Sequence, residues 1–277
     1  MSERGASLSS IGRFAVIGGG RMGGAIVGGL LAADAVSARD IVVADPSETR
    51  RATLKAAHGV STVADSAEAL AGADTVLIAV KPQVIDAVVA SLAASLPREA
   101  LVVSIAGGIT CARIESLLPA GTAVVRVMPN TPALVGAGMA LVSAGGEATE
   151  EHVERVRALF GAVGEAIVID ERYQDAGTAI SGCGPAYVAI FIDALARAGV
   201  REGLTRDVAQ RLALQTMRGT VELIERTGEH PEAVVDAVAS PGGSTIAAVA
   251  KLESGGFRAT IAKAVRAAVK RSRELGN

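Results

Sequence analysis

The chain has 277 residues, half of them hydrophobic and only 2% aromatic, with no tryptophan. That length allows two domains whose cores are built from closely packed Ala, Val, Leu and Ile. The formal net charge of −2 and the absence of a basic tract in the sequence argue against a nucleic-acid partner. Cys111 and Cys183 give neither a disulfide framework nor a metal-ligand spacing, which predicts a reducing, cytoplasmic compartment and no metal site.

The N-terminal segment has the composition of a disordered lead-in, which we place at residues 1–10. Ser2 to Arg13 is polar and rich in small residues, without the apolar core of a signal peptide. We find no apolar run near the roughly 18 residues that a membrane-spanning helix requires. The sequence therefore predicts neither a targeting segment nor a membrane partner.

The first predicted element is a buried strand at Phe14–Ile17, followed by the spacing Gly18-x-Gly20-x-x-Gly23 and a helix from Ala25 to Ala33. Gly18 can form the tight turn, Gly20 lets the backbone approach a pyrophosphate, and Gly23 lets the helix pack closely on the strand. Free N–H groups at the helix start then face the phosphates. An ordinary glycine turn has the same spacing, but the order of strand, glycines and helix favours dinucleotide binding.

The second predicted strand, Ile41–Ala44, is followed at once by Asp45, about 20 residues beyond the glycine motif. An acidic residue there can accept hydrogen bonds from the adenosine ribose and repel a 2′-phosphate, which would favour NADH. Alternatively, Asp45 is a turn or capping residue, because Asp45 to Glu48 also opens the next helix. Arg50 and Arg51 lie one helical turn further on and could attract the phosphate of NADPH. The sequence leaves both cofactors open.

Apolar strands alternate with helices through residues 11–170, which predicts a Rossmann-type, doubly wound parallel sheet covered on both faces. Further strands are expected at Thr75–Val80, Leu101–Ser104, Ala123–Val127, Gly138–Ser143 and Ala166–Ile169. Further helices are expected at Ser47–His58, Ser66–Ala71, Gln83–Ser95, Thr110–Leu118 and Glu147–Phe160. The polar residues Asp170 to Arg172 then mark the end of this NAD(P)-binding domain.

Ligands of such sheets bind beyond the carboxyl ends of the strands. That rule places three loops on one rim beside the glycine motif, namely Lys81-Pro82, Gly107-Gly108 and Met128 to Pro132. Proline or glycine alone could shape each loop, but three loops on one rim favour a site. The candidate cofactor-binding residues are Gly18, Gly20, Arg21, Met22, Gly23, Asp45, Ser47, Val80, Lys81, Pro82, Gly107 and Asn130.

Residues 171–277 show no further strand pattern and predict an all-α domain. A long apolar helical stretch, Tyr173–Ala198, is interrupted at Ser181 to Pro185, where the proline must kink or restart the helix. Helices follow at Thr205–Arg226, Pro231–Ala239, Thr245–Ser254 and Arg258–Leu275. Their apolar faces exceed what so short a domain can bury internally, so we expect this domain to hold a homo-oligomer together.

One loop of the helical domain, Ser240 to Thr245, would present free N–H groups and hydroxyls at a helix start. That arrangement suits a small carboxylate. A capped helix after a Pro-Gly turn has the same composition, and the spacing alone favours this second interpretation.

The available acid–base residues also restrict the chemistry. No lysine lies between Lys81 and Lys251, so a helical-domain lysine that would protonate an alkoxide is missing. None of the histidines, His58, His152 and His230, pairs convincingly with an Asp and a Ser. Hydride addition to an imine fits this inventory, because the nitrogen is easily protonated and a positioned hydroxyl or water can assist.

Four stretches together resemble the pyrroline-5-carboxylate reductase family. They are Ala79–Pro82, Arg126–Pro132, Ser181–Tyr187, and the loop with its following helix, Val238–Glu253. The resemblance runs from about Ile11 to Leu275, in order and without a large insertion. The Val238–Glu253 signature is specific to the family, whereas the glycine motif is not.

The resemblance implies a Rossmann domain, a helical dimerisation and substrate domain, and an intertwined homodimer that often assembles into a decamer. It also implies NAD(P)H-dependent reduction of 1-pyrroline-5-carboxylate to L-proline, the last step of proline synthesis. By this resemblance Thr245 is the catalytic hydroxyl. The implied substrate-binding residues are Ser240, Gly242, Gly243, Ser244 and Thr245.

Three positions depart from the family pattern. Cys183 and Ser244 replace other small residues and should be tolerated, whereas Asp45 leaves the choice between NADPH and NADH open. The alternatives are a 3-hydroxyacid dehydrogenase, which has the same two-domain plan, and a non-catalytic NAD(P)-binding regulator. The missing helical-domain lysine argues against the first, and the intact carboxylate loop argues against the second.

Overall fold

The structure is a computed structural model that describes residues 11–276, so the lead-in predicted at residues 1–10 lies outside the described part. The chain forms two compact units. Gly184–Ala267 is one of them, and the residues up to Cys183 form the other together with those from Ala268 onward. This division differs from the predicted one at residues 170 and 171. The reason is visible at Gln174, which is fully buried beside the sheet and donates to the Leu141 carbonyl at 3.2 Å.

The first unit contains, within its described residues, an eight-stranded sheet in the order β3-β2-β1-β4-β5-β6-β7-β8. The strands are β1 Phe14–Ile17, β2 Ile41–Ala44, β3 Ser61–Val63, β4 Thr75–Ile78, β5 Leu101–Ser104, β6 Val124–Met128, β7 Gly138–Ala144 and β8 Gly164–Val168. The predicted Rossmann-type fold class is confirmed, but the sheet is not parallel throughout. Strand β7 runs antiparallel to β6. The connection, residues 129–137, is too short for the helical crossover that a parallel pair requires.

Helices of the first unit pack on both faces of the sheet. They are α1 Arg21–Ala32, α2 Glu48–His58, α3 Ser66–Leu70, α4 Ile85–Leu92, α5 Cys111–Glu115, α6 Glu150–Gly161 and α7 Gln174–Ser181. Helix α1 begins four residues before the predicted Ala25, because Gly23 and Gly24 are helical rather than part of the turn. Strand β3 was not predicted. It has three residues, is at the sheet edge, and contains Ser61 and Thr62 instead of an apolar run.

Alternate residues of β1 enter two separate apolar clusters. Phe14 and Val16 belong to the cluster on one face of the sheet, and Ala15 and Ile17 belong to the cluster on the other. All four residues of β1 are buried, as in β2, β4 and β5. Continuous apolar strands are typical of a sheet covered on both faces, and this is why the predicted bounds of β1, β2 and β5 are correct.

The second unit is helical. Its helices are α8 Gly184–Arg201, α9 Arg206–Thr227, α10 Pro231–Val238, α11 Ser244–Ser254 and the first part of α12 Phe257–Gly276. The helical stretch interrupted at Ser181 to Pro185 restarts rather than kinks, because α7 ends at Ser181 and Pro185 is the second residue of α8. Proline is tolerated in a first helical turn, where its missing N–H has no partner to lose.

The buried core of the second unit is small relative to its apolar surface. Its core cluster consists of Ala196, Ala209 and Ala213, with Ile192 packed against them. Large side chains remain exposed, including Ile190 at 70% and Leu212 at 55%. By length and composition alone, Glu171–Arg201 could cross a membrane, with a mean hydropathy of 1.5 and 11% of the window buried. No membrane-spanning stretch was predicted here, because Ser181 to Pro185 interrupts the apolar run in the sequence.

Gly164 tests the β7–β8 pairing. Gly164 has φ +152°, and a Cβ on it would clash with the backbone of Gly138, its partner in the register. We expect Gly164→Ala to lower the free energy of unfolding by about 2 kcal/mol or more, measured by urea denaturation. Gly161→Ala is the matched control, since no described atom lies within 4 Å of a Cβ there. A Gly164→Ala variant as stable as this control would contradict the observed register.

Candidate cofactor and substrate site

The glycine motif forms a tight connection between β1 and α1. Gly18 has φ +108°, its N–H donates to the Ala44 carbonyl at 2.8 Å, and a Cβ on it would lie 2.7 Å from the Ala79 carbonyl oxygen. A Cβ on Gly23 would clash with the Gly18 carbonyl. Gly18 therefore permits the turn, and Gly23 permits the close approach of the helix to the strand, as the sequence predicts.

The N-terminus of α1 is open to a ligand. Gly20 is its N-cap residue, and within residues 11–276 no side chain caps the helix and no acidic residue lies in its first turn. Helices α2, α3, α5 and α6 of the same unit are capped by Ser47, Asp65, Thr110 and Thr149. Helices α4 and α7 also lack a side-chain cap in the described chain, but α1 begins with a glycine directly after β1, so its N–H groups and the positive end of its dipole suit an anion at the sheet rim.

A cavity of about 800 Å³ lies at this rim, in the size range of cofactor sites. The predicted residues that line it are Gly18, Gly20, Arg21, Met22, Asp45, Val80 and Lys81. Further lining residues not proposed from the sequence are Ser66, Val84, Val88 and Ile105. Val84 and Val88 are four residues apart where α4 begins, so helical periodicity could have identified them together.

The other predicted cofactor residues do not line this cavity. Ser47 caps α2, Pro82 opens a 3-10 turn, and Gly107 is next to Met128. The Asn130 amide is used inside the protein, because its Nδ2 donates to the Ser181 carbonyl and its Oδ1 accepts from the Met139 N–H, both at 2.9 Å. Their neighbours Met128 and Pro129 line the cavity instead.

The carboxylate of Asp45 also binds the protein backbone. Its Oδ2 accepts the Gly19 N–H at 2.9 Å and its Oδ1 accepts the Ser47 N–H at 2.8 Å. The bond from the Ser47 N–H to Oδ1 is the turn interaction that was predicted from the sequence as the alternative to ribose binding. Arg51 donates to the Asp45 carbonyl at 2.8 Å, and Arg50 Nη1 lies 3.5 Å from Oδ2.

Cys111, which belongs to α5, is not a nucleophile. Burial, reinforced by the charge of Glu171, raises the pKa of the Cys111 thiol to about 12. The thiol is therefore protonated at neutral pH. Glu171 accepts the Cys111 N–H at 2.8 Å and pairs with the buried Arg126 at 3.2 Å, so this cluster is held by internal bonds. Among the described residues, no group of three or more His, Cys, Asp or Glu side chains could hold a metal.

The loop predicted to bind a carboxylate lies in the second unit. Ser240, Gly242 and Gly243 form a turn in which Gly242 has φ +69° and the Gly243 N–H donates to the Ser240 carbonyl at 3.0 Å. Gly243 is the N-cap of α11, and in the described chain no side chain caps this helix either. Ser244 and Thr245 are its first two residues. The loop thus resembles the start of α1, with N–H groups open to an anion.

Family models match both parts of the chain. Residues 171–275 match the model described as pyrroline-5-carboxylate reductase dimerisation, and residues 13–108 match the model described as NADP oxidoreductase, coenzyme F420-dependent. A pyrroline-5-carboxylate reductase of a Synechocystis species is 48% identical over 261 residues, which cover 94% of this chain and 97% of that relative. The chain belongs to the pyrroline-5-carboxylate reductase family. The family resemblance and the enzyme class predicted from the sequence are confirmed.

Solved structures agree over the full length. The pyrroline carboxylate reductase of Plasmodium falciparum with NADP bound has a TM-score of 0.87 at 31% identity, covering 97% of this chain and 99% of that one. A pyrroline-5-carboxylate reductase from Coxiella burnetii has a TM-score of 0.89 at 34% identity, covering 97% and 100%. The match extends through both compact units, which supports the reductase over the two alternatives considered from the sequence.

Gly20 tests the cofactor cavity. No described atom lies within 4 Å of a Cβ on Gly20, yet the residue lines the cavity at the α1 N-terminus. We expect Gly20→Ala to weaken NADP⁺ binding by about tenfold or more, since the methyl group occupies the path of the phosphates. The melting temperature should change by less than about 3 °C. Binding is measured by calorimetry with Gly161→Ala as control, and unchanged affinity would show that the phosphates do not pass over Gly20.

Proposed function

We propose that this chain reduces 1-pyrroline-5-carboxylate to L-proline with NADPH or NADH, as the last step of proline synthesis. The observation that carries the proposal is a pair of uncapped helix N-termini, one on the cofactor cavity and one in the family's signature loop. The first suits the pyrophosphate of a dinucleotide and the second suits the carboxylate of a small substrate. Relatives named for this activity cover almost the whole chain.

The cofactor site fits a dinucleotide. Backbone N–H groups of Arg21, Met22 and Gly23 at the start of α1 would hold the pyrophosphate, and Gly20 leaves room for its approach. When bound, the nicotinamide supplies the hydride. Arg50 has a side chain 61% exposed beside Asp45 and lines the cavity, so it is our candidate for the 2′-phosphate of NADPH.

The substrate site is assigned to the signature loop. The N–H groups of Gly243, Ser244 and Thr245 would hold the carboxylate, with Ser240 and Gly242 shaping the turn. Thr245 is half-buried, and its hydroxyl makes no hydrogen bond with the described residues. In contrast, the hydroxyls of Thr220 and Thr227 donate to carbonyls four residues earlier in α9. The Thr245 hydroxyl is therefore available to the ring nitrogen beside the carboxylate.

Thr245 is assigned two tasks in the reaction. It orients the ring so that the imine carbon faces the hydride donor, and it donates a hydrogen bond toward the nitrogen as negative charge develops there. We assign the proton that the nitrogen gains to solvent water, since the helical unit has no lysine before Lys251. Reduction of an imine does not require a lysine as acid, because the imine nitrogen is far more basic than a carbonyl oxygen and is more easily protonated.

The chain acts as a homo-oligomer, in keeping with the dimerisation model that matches residues 171–275. We propose that the exposed apolar faces of α8 and α9 pack against a second copy rather than against lipid, and that dimers further assemble into a decamer. This covering would compensate for the small core of the second unit. Cysteine usage supports a cytoplasmic location.

A substitution at Leu212 tests the proposed dimer. Sedimentation of the wild type at micromolar concentration should show a dimer or a larger assembly. Leu212 is 55% exposed on α9, and Leu212→Glu should dissociate the assembly, because a carboxylate cannot be buried unpaired. Leu134→Glu is the matched control in the first unit, where Leu134 is 58% exposed. A monomeric wild type would contradict the proposed assembly.

Thr245 tests the substrate assignment. One neutral hydrogen bond strengthened in the transition state contributes about 1–3 kcal/mol, or roughly ten- to a hundredfold in rate. We expect Thr245→Ala to lower kcat/KM for 1-pyrroline-5-carboxylate by that factor while leaving NADPH affinity nearly unchanged, and Thr245→Ser to restore most of it. Steady-state kinetics measure both. Full activity in the Ala variant would show that the loop is only a helix start and that another group assists the nitrogen.

A further inference from the structure

The carboxylate of Asp45 is an internal ligand of the loop that would hold the cofactor. The residue is 3% exposed, and each of its oxygens accepts a backbone N–H, from Gly19 and from Ser47. Gly19 belongs to the glycine loop before α1, and Ser47 is the N-cap of α2. One side chain therefore connects the glycine loop to the start of α2, and Asp45 itself lines the cavity.

The packing around Gly19 supports this connection. A Cβ on Gly19 would lie 2.6 Å from Leu54 Cδ1 and 3.4 Å from the Asp45 Cβ, so the loop is in direct contact with α2 and with the end of β2. A buried N–H that loses its acceptor destabilises the conformation in which it is held. The Gly19 N–H therefore depends on Asp45 for the loop geometry seen here.

The charge of Asp45 is balanced by neighbouring donors. Arg50 Nη1 lies 3.5 Å from Oδ2, and Arg51 donates to the carbonyls of Asp45 and Pro46 at 2.8 and 3.0 Å. An acidic residue at this position disfavours a 2′-phosphate when its carboxylate is free to face the ribose. Here each carboxylate oxygen already accepts a backbone N–H and Arg50 lies 3.5 Å from Oδ2, so the negative charge that a 2′-phosphate would meet is reduced.

We propose that Asp45 is a positioning residue that fixes the glycine loop for both cofactors, and that it does not select between NADH and NADPH. Selection is then left to Arg50, which has one 3.5 Å ion pair and an exposed side chain. The inference rests on the proposed function only in assuming a dinucleotide ligand. It reverses the preference for NADH that an acid at the end of β2 would predict.

Calorimetry with NADP⁺ and NAD⁺ separates positioning from selection. Asp45→Asn leaves one acceptor and turns a donor toward the second N–H, so both affinities should fall by about tenfold with their ratio unchanged. Asp45→Ala should lower both further. Arg50→Ala should lower NADP⁺ affinity by about tenfold and leave NAD⁺ affinity nearly unchanged. A rise in the NADP⁺/NAD⁺ affinity ratio of about tenfold in Asp45→Asn would overturn the proposal.

Asp170 provides the matched control. The Asp170 Oδ1 accepts the N–H of Arg172, two residues later, at 2.9 Å, as the Asp45 Oδ1 does with Ser47. Asp170 does not line the cofactor cavity. Asp170→Asn should leave both cofactor affinities unchanged. Equal losses in Asp170→Asn and Asp45→Asn would show a general effect of turn disruption and would overturn the specific role of Asp45.

Amide hydrogen exchange of the wild type gives a test that needs no variant. The Gly19 and Ser47 amides should exchange slowly without ligand and remain protected when NADP⁺ binds. Faster exchange at either amide on binding would mean that the carboxylate turns toward the ribose, which contradicts the proposal. If neither dinucleotide binds, the proposed function fails, whereas protection of the two amides in the free protein still reports on the Asp45 contacts.

Discussion

The close approach of α1 to the end of β1 is the constraint on which the rest of the site depends. Gly23 lies against the Gly18 carbonyl and Gly18 against the Ala79 carbonyl, so neither position has room for a Cβ. This packing brings the uncapped end of α1 to the rim of the sheet beside the residues that follow β4. If side chains at these positions held α1 further from β1, the N–H groups of α1 would lie too far from the cavity to bind phosphates.

The two ends of the proposed reaction use the same physical device. At α1 and at α11, a glycine occupies the N-cap position and no described side chain satisfies the first N–H groups. Ser or Asp in place of these glycines would stabilise each helix by roughly a few tenths of a kcal/mol. Within residues 11–276, side chains cap α2, α3, α5 and α6, whereas α4, α7 and α9 also lack a side-chain cap but have no glycine at the N-cap position. In the proposed assignment, backbone dipoles hold both anions, so few charged side chains are needed.

Much of the fold could be predicted because its strands are continuous apolar runs between glycine and proline signals. Strand β3 escaped prediction because it is short and polar, and β7 was taken as parallel because strand patterns carry no direction. At the site, the order of strands and loops in the sequence predicted which loops lie at the rim of the sheet. It did not predict which of their side chains face the cavity. Asn130 follows the same strand as Met128, yet tertiary bonds to Ser181 and Met139 turn its amide inward. The sequence allowed two interpretations of Asp45, and the structure shows the turn interaction with the Ser47 N–H.

The small core of the helical unit would couple its folding to the proposed assembly. A core cluster of Ala196, Ala209 and Ala213 buries too little apolar surface to offset the conformational entropy of the helices around it. In the proposed assembly a second chain would supply the free energy that keeps these helices folded, and by mass action the stability of the enzyme would rise with its own concentration. The proposed substrate loop precedes α11 of the same unit, so dilution would act on substrate binding before it acts on the Rossmann sheet.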